Sequence, residues 1–135
     1  MARWGRFDFR EFERLKRNYE QLAQNIDTFL REFLLEMAMR AERKIKKRTP
    51  VDTGLLRRSW EVGEVIKHGD KLIVEIINET EYASFVEYGH RTGPDRRKWV
   101  EGRFMMTISM QEIERELPRY LERRLLKWLK ERKVS

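Results

Sequence analysis

The stretch WEVGEVIKHGDKLIVEIIN, residues 60–78, decides the fold class, because the helical spacing of apolar residues stops where it begins. It is rich in β-branched residues, and the Gly69-Asp70 pair in its middle is a tight-turn signal. The pattern predicts two antiparallel strands, near residues 60–67 and 71–78, that form a hairpin. The second strand should carry one apolar face and one mixed face, made of Leu72, Val74 and Ile76 and of Ile73, Glu75 and Ile77. Because a two-stranded ribbon is marginally stable alone, helices or further strands must pack on it.

A long helix precedes the hairpin. Apolar residues recur three or four positions apart, as one face of a helix requires, at Phe12, Leu15, Tyr19, Leu22, Ile26, Phe29, Phe33, Met37, Ala41 and Ile45. This spacing predicts a helical N-terminal arm over residues 7–48, either continuous or divided where Asp27 or Thr28 acts as an N-cap. The helix must end near Thr49, since the residue before Pro50 is pushed out of the α region.

The segment TPVDTG, residues 49–54, is interpreted as a structural stop and restart. Pro50 ends the helix, and Asp52 or Thr53 is placed to cap a new short turn through Leu56. Gly54 lets the chain reverse without steric cost. A dimeric aspartic protease is a remote alternative, because the catalytic loop of that class also reads hydrophobic-Asp-Thr-Gly. Two such carboxylates share a proton, and the cations on both sides of Asp52 would oppose that sharing.

A short helix should follow the hairpin. Asn78 and Glu81 have the spacing of a capping box, and Gly89 is a natural C-terminal residue for the helix. Residues 90–98 contain Gly-Pro and a polar run, which predict an exposed, mobile loop. Residues 99–106 are a candidate third strand.

The last helix has its own start signal. Ser109 and Glu112 have the spacing of a capping box, with Ile108 and Ile113 placed as the hydrophobic staple around it. Pro118 inside the helix should kink or divide it. Together these elements predict one α+β domain over residues 1–135, with the helical arm at 7–48, an α+β core at 49–108 and a C-terminal helix at 109–133.

Composition excludes several kinds of site. The chain has 30 Lys and Arg against 23 Asp and Glu, for a net charge of +7, and it has no cysteine. A disulfide framework, a thiolate nucleophile and a cysteine-bound metal are therefore excluded. With two histidines and no phosphate-binding glycine loop, neither a metal nor a cofactor is predicted, and we expect no enzyme activity. No apolar run reaches the roughly 18 residues of a membrane span, so no membrane partner is expected either.

Two ordered motifs resemble those of a known family. TPVDTGLLRRS (residues 49–59), EYASFVEYG (residues 81–89) and the arginine-rich loop that follows are similar to the tail-component, or tail-completion, family of tailed bacteriophages and prophages. The resemblance extends over roughly residues 38–130. It departs at RRKWVEGRFMM (residues 96–106), which is similar to a subgroup from phages and defective prophages of Gram-positive bacteria and leaves the tail type open. The motif positions it singles out as structural are Pro50, Asp52, Thr53, Gly54, Leu56, Ser59, Tyr82, Ala83, Glu87 and Gly89.

The resemblance implies a structural virion protein of the head–tail junction without catalytic activity. Such a neck subunit would assemble in the host cytoplasm as a homo-oligomeric ring against neighbouring neck, tail-tube or tail-terminator proteins. Tyr82, Phe85 and Tyr88 would pack the short helix on the hairpin or contact another subunit. The loop cations would be solvated, bind an acidic partner protein or contact DNA without sequence preference; they are Arg91, Arg96, Arg97 and Lys98.

The alternative class is a basic nucleic-acid-binding protein outside a virion. It is disfavoured at this stage because the aromatic residues are expected on helical core stripes, whereas base stacking needs them exposed among cations.

Overall fold

The protein has the α+β architecture that the sequence predicts. A computed structural model describes residues 9–51 and 54–132. Tertiary contacts divide the chain into two compact units, one ending at Glu32 and the other beginning at Phe33. The helices are α1 (Phe9–Arg48), α2 (Leu55–Arg58), α3 (Ala83–Tyr88) and α4 (Met105–Arg132). The strands are β1 (Trp60–Val62), β2 (Ile66–His68), β3 (Lys71–Ile73), β4 (Ile76–Asn78), β5 (Gly89–Thr92) and β6 (Lys98–Glu101).

The first helix, α1, is continuous and ends at Arg48, just before Pro50, as predicted. It is not divided near Asp27, whose carboxylate instead accepts a hydrogen bond from Arg31 Nε at 2.8 Å, one turn further along the helix. The apolar stripe changes character along α1. Tyr19 is 72% exposed, whereas Ile45 is fully buried. No helix in the described ranges is both long and apolar enough to cross a membrane.

The core of the second unit is a cluster of four buried side chains from four helices and strands. Ile45, Leu56, Trp60 and Met105 form it. Partly buried residues from the hairpin, α3 and α4 pack around these four, namely Ile76, Ala83, Val86 and Met106. Burying side chains of this size contributes roughly 1.5–3 kcal/mol each, so the cluster holds α2, β1 and both long helices together.

The predicted hairpin is present but interrupted. β2 pairs with β3 across the Gly69-Asp70 turn, and β1 pairs with β4, both antiparallel. Val62 is opposite Ile76 and Ile66 is opposite Ile73, so three residues on one side face two on the other, which is a β-bulge. The Gly63 N–H donates to the Glu75 carbonyl at 2.8 Å within this bulge. Side chains alternate as expected: Leu72, Val74 and Ile76 are half-buried, while Ile73, Glu75 and Ile77 are exposed.

The loop predicted at residues 90–98 is largely a second hairpin. β5 and β6 pair antiparallel, with Gly89 opposite Glu101 and Thr92 opposite Lys98, so only residues 93–97 form the turn. The loop prediction was wrong for β5 because both sides of this ribbon are largely exposed, and its sequence therefore lacks apolar alternation. The candidate third strand, residues 99–106, is confirmed only in its first three residues, which belong to β6, and its last two residues begin the next helix.

The last helix, α4, begins at Met105, four residues before the predicted start. The predicted capping box is wrong, because Ser109 lies fully buried inside the helix, where its Oγ donates to the Met105 carbonyl at 2.6 Å. The helix is not divided at Pro118 and continues to Arg132.

Candidate functional site

The turn after α1 is held by the buried side chain of Thr49. Its Oγ1 donates to the Ile45 carbonyl at 2.7 Å and accepts a hydrogen bond from Trp60 Nε1 at 2.9 Å. Arg57 Nε donates to the Lys46 carbonyl at 2.9 Å. The end of α1, α2 and β1 are thus joined through the first motif. Sequence reasoning missed Thr49 and Arg57, although a buried threonine before Pro50 satisfies a helix-end carbonyl that would otherwise lack a donor.

The start of α2 after this turn depends on Gly54. It lies at φ 81°, a left-handed conformation that glycine adopts at low cost, and α2 begins at the next residue. Leu56 then enters the core, and the Ser59 hydroxyl donates to the Leu55 carbonyl at 2.6 Å. The predicted caps, Asp52 and Thr53, lie outside the described residues.

Asn78 ties α2 to the hairpin. Its Nδ2 donates to the Leu56 carbonyl at 2.8 Å, while its Oδ1 accepts from the Thr80 N–H at 3.1 Å and the Thr80 hydroxyl at 2.7 Å. The predicted capping box of Asn78 and Glu81 is therefore wrong. Asn78 belongs to β4, and α3 starts at Ala83 without a side-chain cap on its N-terminus.

Glu87, in the second motif, caps the N-terminus of α4. Its side chain is buried, and one carboxylate oxygen accepts the Met106 N–H at 2.9 Å. The other oxygen accepts the Thr107 N–H at 2.9 Å and the Thr107 hydroxyl at 2.7 Å. A negative charge is favoured there by the partial positive charge of the helix N-terminus. Glu87 thus takes the role that sequence reasoning assigned to Ser109.

Two glycines allow the backbone of α3 to approach the segment before α4. The Arg103 N–H donates to the Val86 carbonyl at 2.7 Å, and the Phe104 N–H donates to the Glu87 carbonyl at 3.0 Å. A Cβ atom at Gly89 would lie 2.6 Å from the Val100 carbonyl oxygen, and one at Gly102 would lie 2.4 Å from the Glu87 carbonyl oxygen. Only glycine fits at either position. Gly102 was not among the predicted site residues.

The aromatic residues of α3 point away from the core. Tyr82, Phe85 and Tyr88 are 37%, 53% and 64% exposed, so the predicted packing on the hairpin is wrong, while the alternative, contact with another subunit, stays a prediction. The six-residue helix has one inward face, and Ala83, Val86 and Glu87 occupy it at the spacing of i, i+3 and i+4. The aromatic side chains are left on the other side.

The hairpin of β5 and β6, with its turn, forms a surface that we call the basic ribbon. Its cations are all exposed; they are Arg91, Arg96, Arg97 and Lys98. Arg97 lies 3.4 Å from Asp95 on the same turn, whereas the other three have no ion-pair partner in the described part of the chain. Trp99, on β6, is 53% exposed, and the Phe85 ring lies 5.6 Å from that of His90 on β5. The predicted cationic residues therefore lie together, beside exposed aromatic rings.

The outward side of the first hairpin carries the opposite charge, and we call it the acidic face. Its exposed carboxylates are Glu61, Glu64, Glu75 and Glu79, and one exposed cation, Lys71, lies on the same side near the Gly69-Asp70 turn. Exposed Ile66, Ile73 and Ile77 lie on the same hairpin. None of the four carboxylates forms an ion pair with another described residue. Arg58 lies at the edge of this face, in a depression that it shares with Glu61 and Glu79.

Charged residues also join α1 to α4 within the second unit. Glu112 accepts a hydrogen bond from Lys44 Nζ at 3.0 Å and another from Arg48, which also donates to Ser109 Oγ at 3.1 Å. Hydrogen bonding to Lys44 and then to Arg48 lowers the pKa of Glu112 below its usual range. Further along, Arg124 pairs with Glu36 at 2.6 Å, so the two helices run antiparallel.

The interior beside α1 and α4 is mainly apolar. A cavity of about 360 Å³ lies between α1, the first hairpin and α4; it is lined by apolar side chains, apart from Glu114. Within the described ranges, no cluster of three or more histidine and carboxylate side chains is placed to hold a metal ion. The functional candidates are therefore the two charged surfaces.

One comparison with known proteins gives a match. The model of the family described as "Bacteriophage HK97-gp10, putative tail-component" matches residues 13–89, which is more than half of the 135 residues. The chain belongs to this family of phage tail components. The matched segment includes α2, the first hairpin and α3 but ends before most of the basic ribbon and before α4. Neither the curated proteins nor the solved structures include a match.

Proposed function

We propose that the protein is a structural subunit of the phage head–tail junction and completes the tail or neck without catalysing a reaction. Membership in the tail-component family carries this proposal, since it implies a place in the virion among other virion proteins. On this proposal the subunit forms a ring of several copies and binds neighbouring neck, tail-tube or tail-terminator proteins.

The contacts that residues of the two motifs make inside the fold support a structural role. Thr49 joins a helix end to Trp60, Glu87 caps α4, and Gly89 allows close contact between backbones. Thr49 and Glu87 use their side chains for hydrogen bonds inside the fold, and Gly89 is in contact with neighbouring backbone, so these residues are not free to contact a substrate. The exposed surfaces, with their unpaired charges and aromatic rings, are what remains to bind partners.

Deleting the gene from a phage or inducible prophage that encodes the protein tests this proposal. We expect filled heads and separate tails to accumulate, which electron microscopy would show, and expression of the wild-type chain in trans should restore joined particles. Mass spectrometry of purified joined particles should detect the protein. Joined, infectious particles formed without it would contradict the proposal.

A nucleic-acid-binding protein outside a virion remains the second candidate, and one observation favours it. The sequence argument against it assumed buried aromatic residues, whereas Phe85, Tyr88 and Trp99 are exposed on or near the basic ribbon. Stacking on such rings and phosphate contacts would give binding that weakens steeply with salt. Titration of labelled DNA with the protein at rising salt would detect this. An affinity that persists at physiological salt and falls on substitution of Arg91 and Lys98 would favour this candidate.

A further inference from the structure

Two surfaces of the second unit carry opposite charge, and we propose that the basic ribbon of one subunit docks on the acidic face of an adjacent copy of the chain. The inference rests on the proposed function, because it names the surfaces through which the subunits of the tail component bind one another.

The charges of the two surfaces are complementary. The acidic face presents four exposed carboxylates, offset in part by Arg58 at its edge and by Lys71 near the turn. The basic ribbon presents Arg91, Arg96 and Lys98, which form no ion pair with another described residue. It also carries two exposed carboxylates, Asp95 paired with Arg97 and Glu101 hydrogen-bonded to Trp99 Nε1, so its four cations outnumber its acidic groups by two. Charges left unpaired within one subunit can pair across a contact, where complementary potentials speed association and exclude wrong partners.

Both surfaces also expose apolar groups that a partner would cover. On the ribbon Trp99 is 53% and Val100 is 43% exposed, and they lie on opposite sides of β6 because side chains alternate along a strand. On the acidic face Ile66 is 51% and Ile77 is 39% exposed. Either side of the ribbon therefore brings an apolar residue to the contact. Tryptophan and arginine are the residues that most often supply binding energy at interfaces.

A second copy fits these surfaces better than DNA does. DNA would cover the basic ribbon, but it would be repelled by the carboxylates of the acidic face and would leave that face exposed. Copies of the chain cover both surfaces, with one neighbour on the ribbon and another on the acidic face. A two-stranded hairpin exposed on both sides is also marginally stable alone, so docking would stabilise the ribbon.

The contact joins two different surfaces, which lie on separate sheets. Each subunit therefore uses its ribbon toward one neighbour and its acidic face toward another. Such a heterologous contact produces a closed ring if the rotation between subunits closes and a filament if it does not. The proposed ring needs no further surface if that rotation closes.

Two charge-reversed variants of the full chain test the proposal. The ribbon variant carries Arg91→Glu and Lys98→Glu, which reverses one exposed cation on each side of the ribbon. The face variant carries Glu61→Lys and Glu75→Lys, both exposed. Each variant alone would place like charges across the contact, so we expect its assembly to weaken by about tenfold or more. Native mass, measured by light scattering at low salt, reports assembly.

Mixing the two variants in equal amounts should restore assembly, and a ring with an even number of subunits should regain the native mass of the wild type. The reversed ribbon then matches the reversed face, and the two unchanged surfaces match each other, so subunits alternate. Control variants with the same changes in net charge are Arg17→Glu with Lys127→Glu and Glu20→Lys with Glu122→Lys, all at exposed positions. These should assemble as the wild type does. Circular dichroism of every variant checks that it is folded.

Restored assembly in the mixture, together with loss in each variant alone, supports the proposal. It is overturned if the wild type stays monomeric at low salt, if either variant alone assembles like the wild type, or if the mixture fails to assemble. The proposed function fails separately, when joined particles form without the protein. If the mixed variants assemble but joined particles form without the protein, the contact is supported and the proposed function is wrong. If the mixed variants do not assemble but the protein is needed for joined particles and present in them, the contact is wrong and the proposed function is supported.

Discussion

Replacing Glu87 tests the assignment of this carboxylate as the cap of α4. Glu87→Ala removes an acceptor that receives three hydrogen bonds at 2.7–2.9 Å, two of them from backbone N–H groups in the first turn of the helix. Losing a helix cap costs roughly 0.5–2 kcal/mol, and leaving a buried donor unsatisfied costs about 1–3 kcal/mol. We therefore expect Glu87→Ala to lower the free energy of unfolding by about 3 kcal/mol. Glu87→Gln, which keeps one acceptor oxygen, should lower it by about 2 kcal/mol.

Urea unfolding, followed by the helical circular dichroism signal at fixed protein and salt concentrations, measures both changes. Fixed concentrations matter because the proposed assembly would itself add stability. Glu81→Gln, at an exposed carboxylate of the same motif, is the matched control and should change stability by no more than about 0.5 kcal/mol. Amide exchange of Met106 and Thr107 should accelerate in the Glu87 variants. If Glu87→Ala unfolds at the same urea concentration as the control, the carboxylate does not cap the helix.

The remaining predictions concern a glycine, a pH dependence and the protease alternative. Gly102→Ala should lower the free energy of unfolding by about 3 kcal/mol or more, because its Cβ would lie 2.4 Å from the Glu87 carbonyl oxygen. In the control variant Gly63→Ala the nearest atom would lie at 3.5 Å, so the loss should be about 1 kcal/mol or less. Thermal unfolding of the two variants measures the difference. Because the folded-state pKa of Glu112 is lowered, its ion pairs stabilise the fold at pH values above the unfolded-state pKa, and this stabilisation is lost as pH falls through the folded-state pKa. Glu112→Gln should flatten that part of the curve of unfolding free energy against pH. An unchanged curve would contradict the assignment. In a peptide-cleavage assay, we expect both the wild type and Asp52→Asn to cleave at the background rate. Cleavage by the wild type that is lost in Asp52→Asn would support the protease alternative.

The helices could be predicted from the sequence, but which parts of them are buried could not. The three-to-four spacing of apolar residues predicted α1 to the correct end, yet the same stripe is exposed at Tyr19 and buried at Ile45. Periodicity identifies the apolar face of a helix, whereas burial depends on whether another element lies against that face. The same limit applies to α3, where a short amphipathic pattern placed Phe85 and Tyr88 in the core.

Both predicted capping boxes failed for a common reason. The spacing of Ser109 and Glu112 fits a local cap, but the first turn of α4 is capped by Glu87, which is far away in sequence. Asn78 likewise serves a turn and the Leu56 carbonyl instead of α3. Local patterns identify side chains able to cap a helix, and tertiary contacts decide which of them does so.

The acidic face illustrates what single positions cannot reveal. Its four carboxylates are separated along the chain, and the register of β1 with β4 and the bulge at residues 63–65 bring them to one side of the hairpin. The cations of the basic ribbon were found because they are nearly consecutive in sequence. Opposite surfaces of one contact can thus differ greatly in how easily sequence reasoning detects them.

The second motif links the stability of the fold to the proposed assembly. The ribbon leaves the body of the protein at Gly89 and returns at Gly102. Gly102 lies against the backbone of Glu87 and Tyr88, and Gly89 lies against that of Val100 and Gly102. We therefore expect a change that disturbs the cap of α4 to displace the base of the ribbon, although the Glu87 side chain itself is buried. On this argument the motif residues act on assembly by positioning the ribbon. Glu87→Gln should then weaken assembly while the charges of both docking surfaces remain unchanged, and a Glu87→Gln chain that assembles with wild-type affinity would separate the cap from the ribbon.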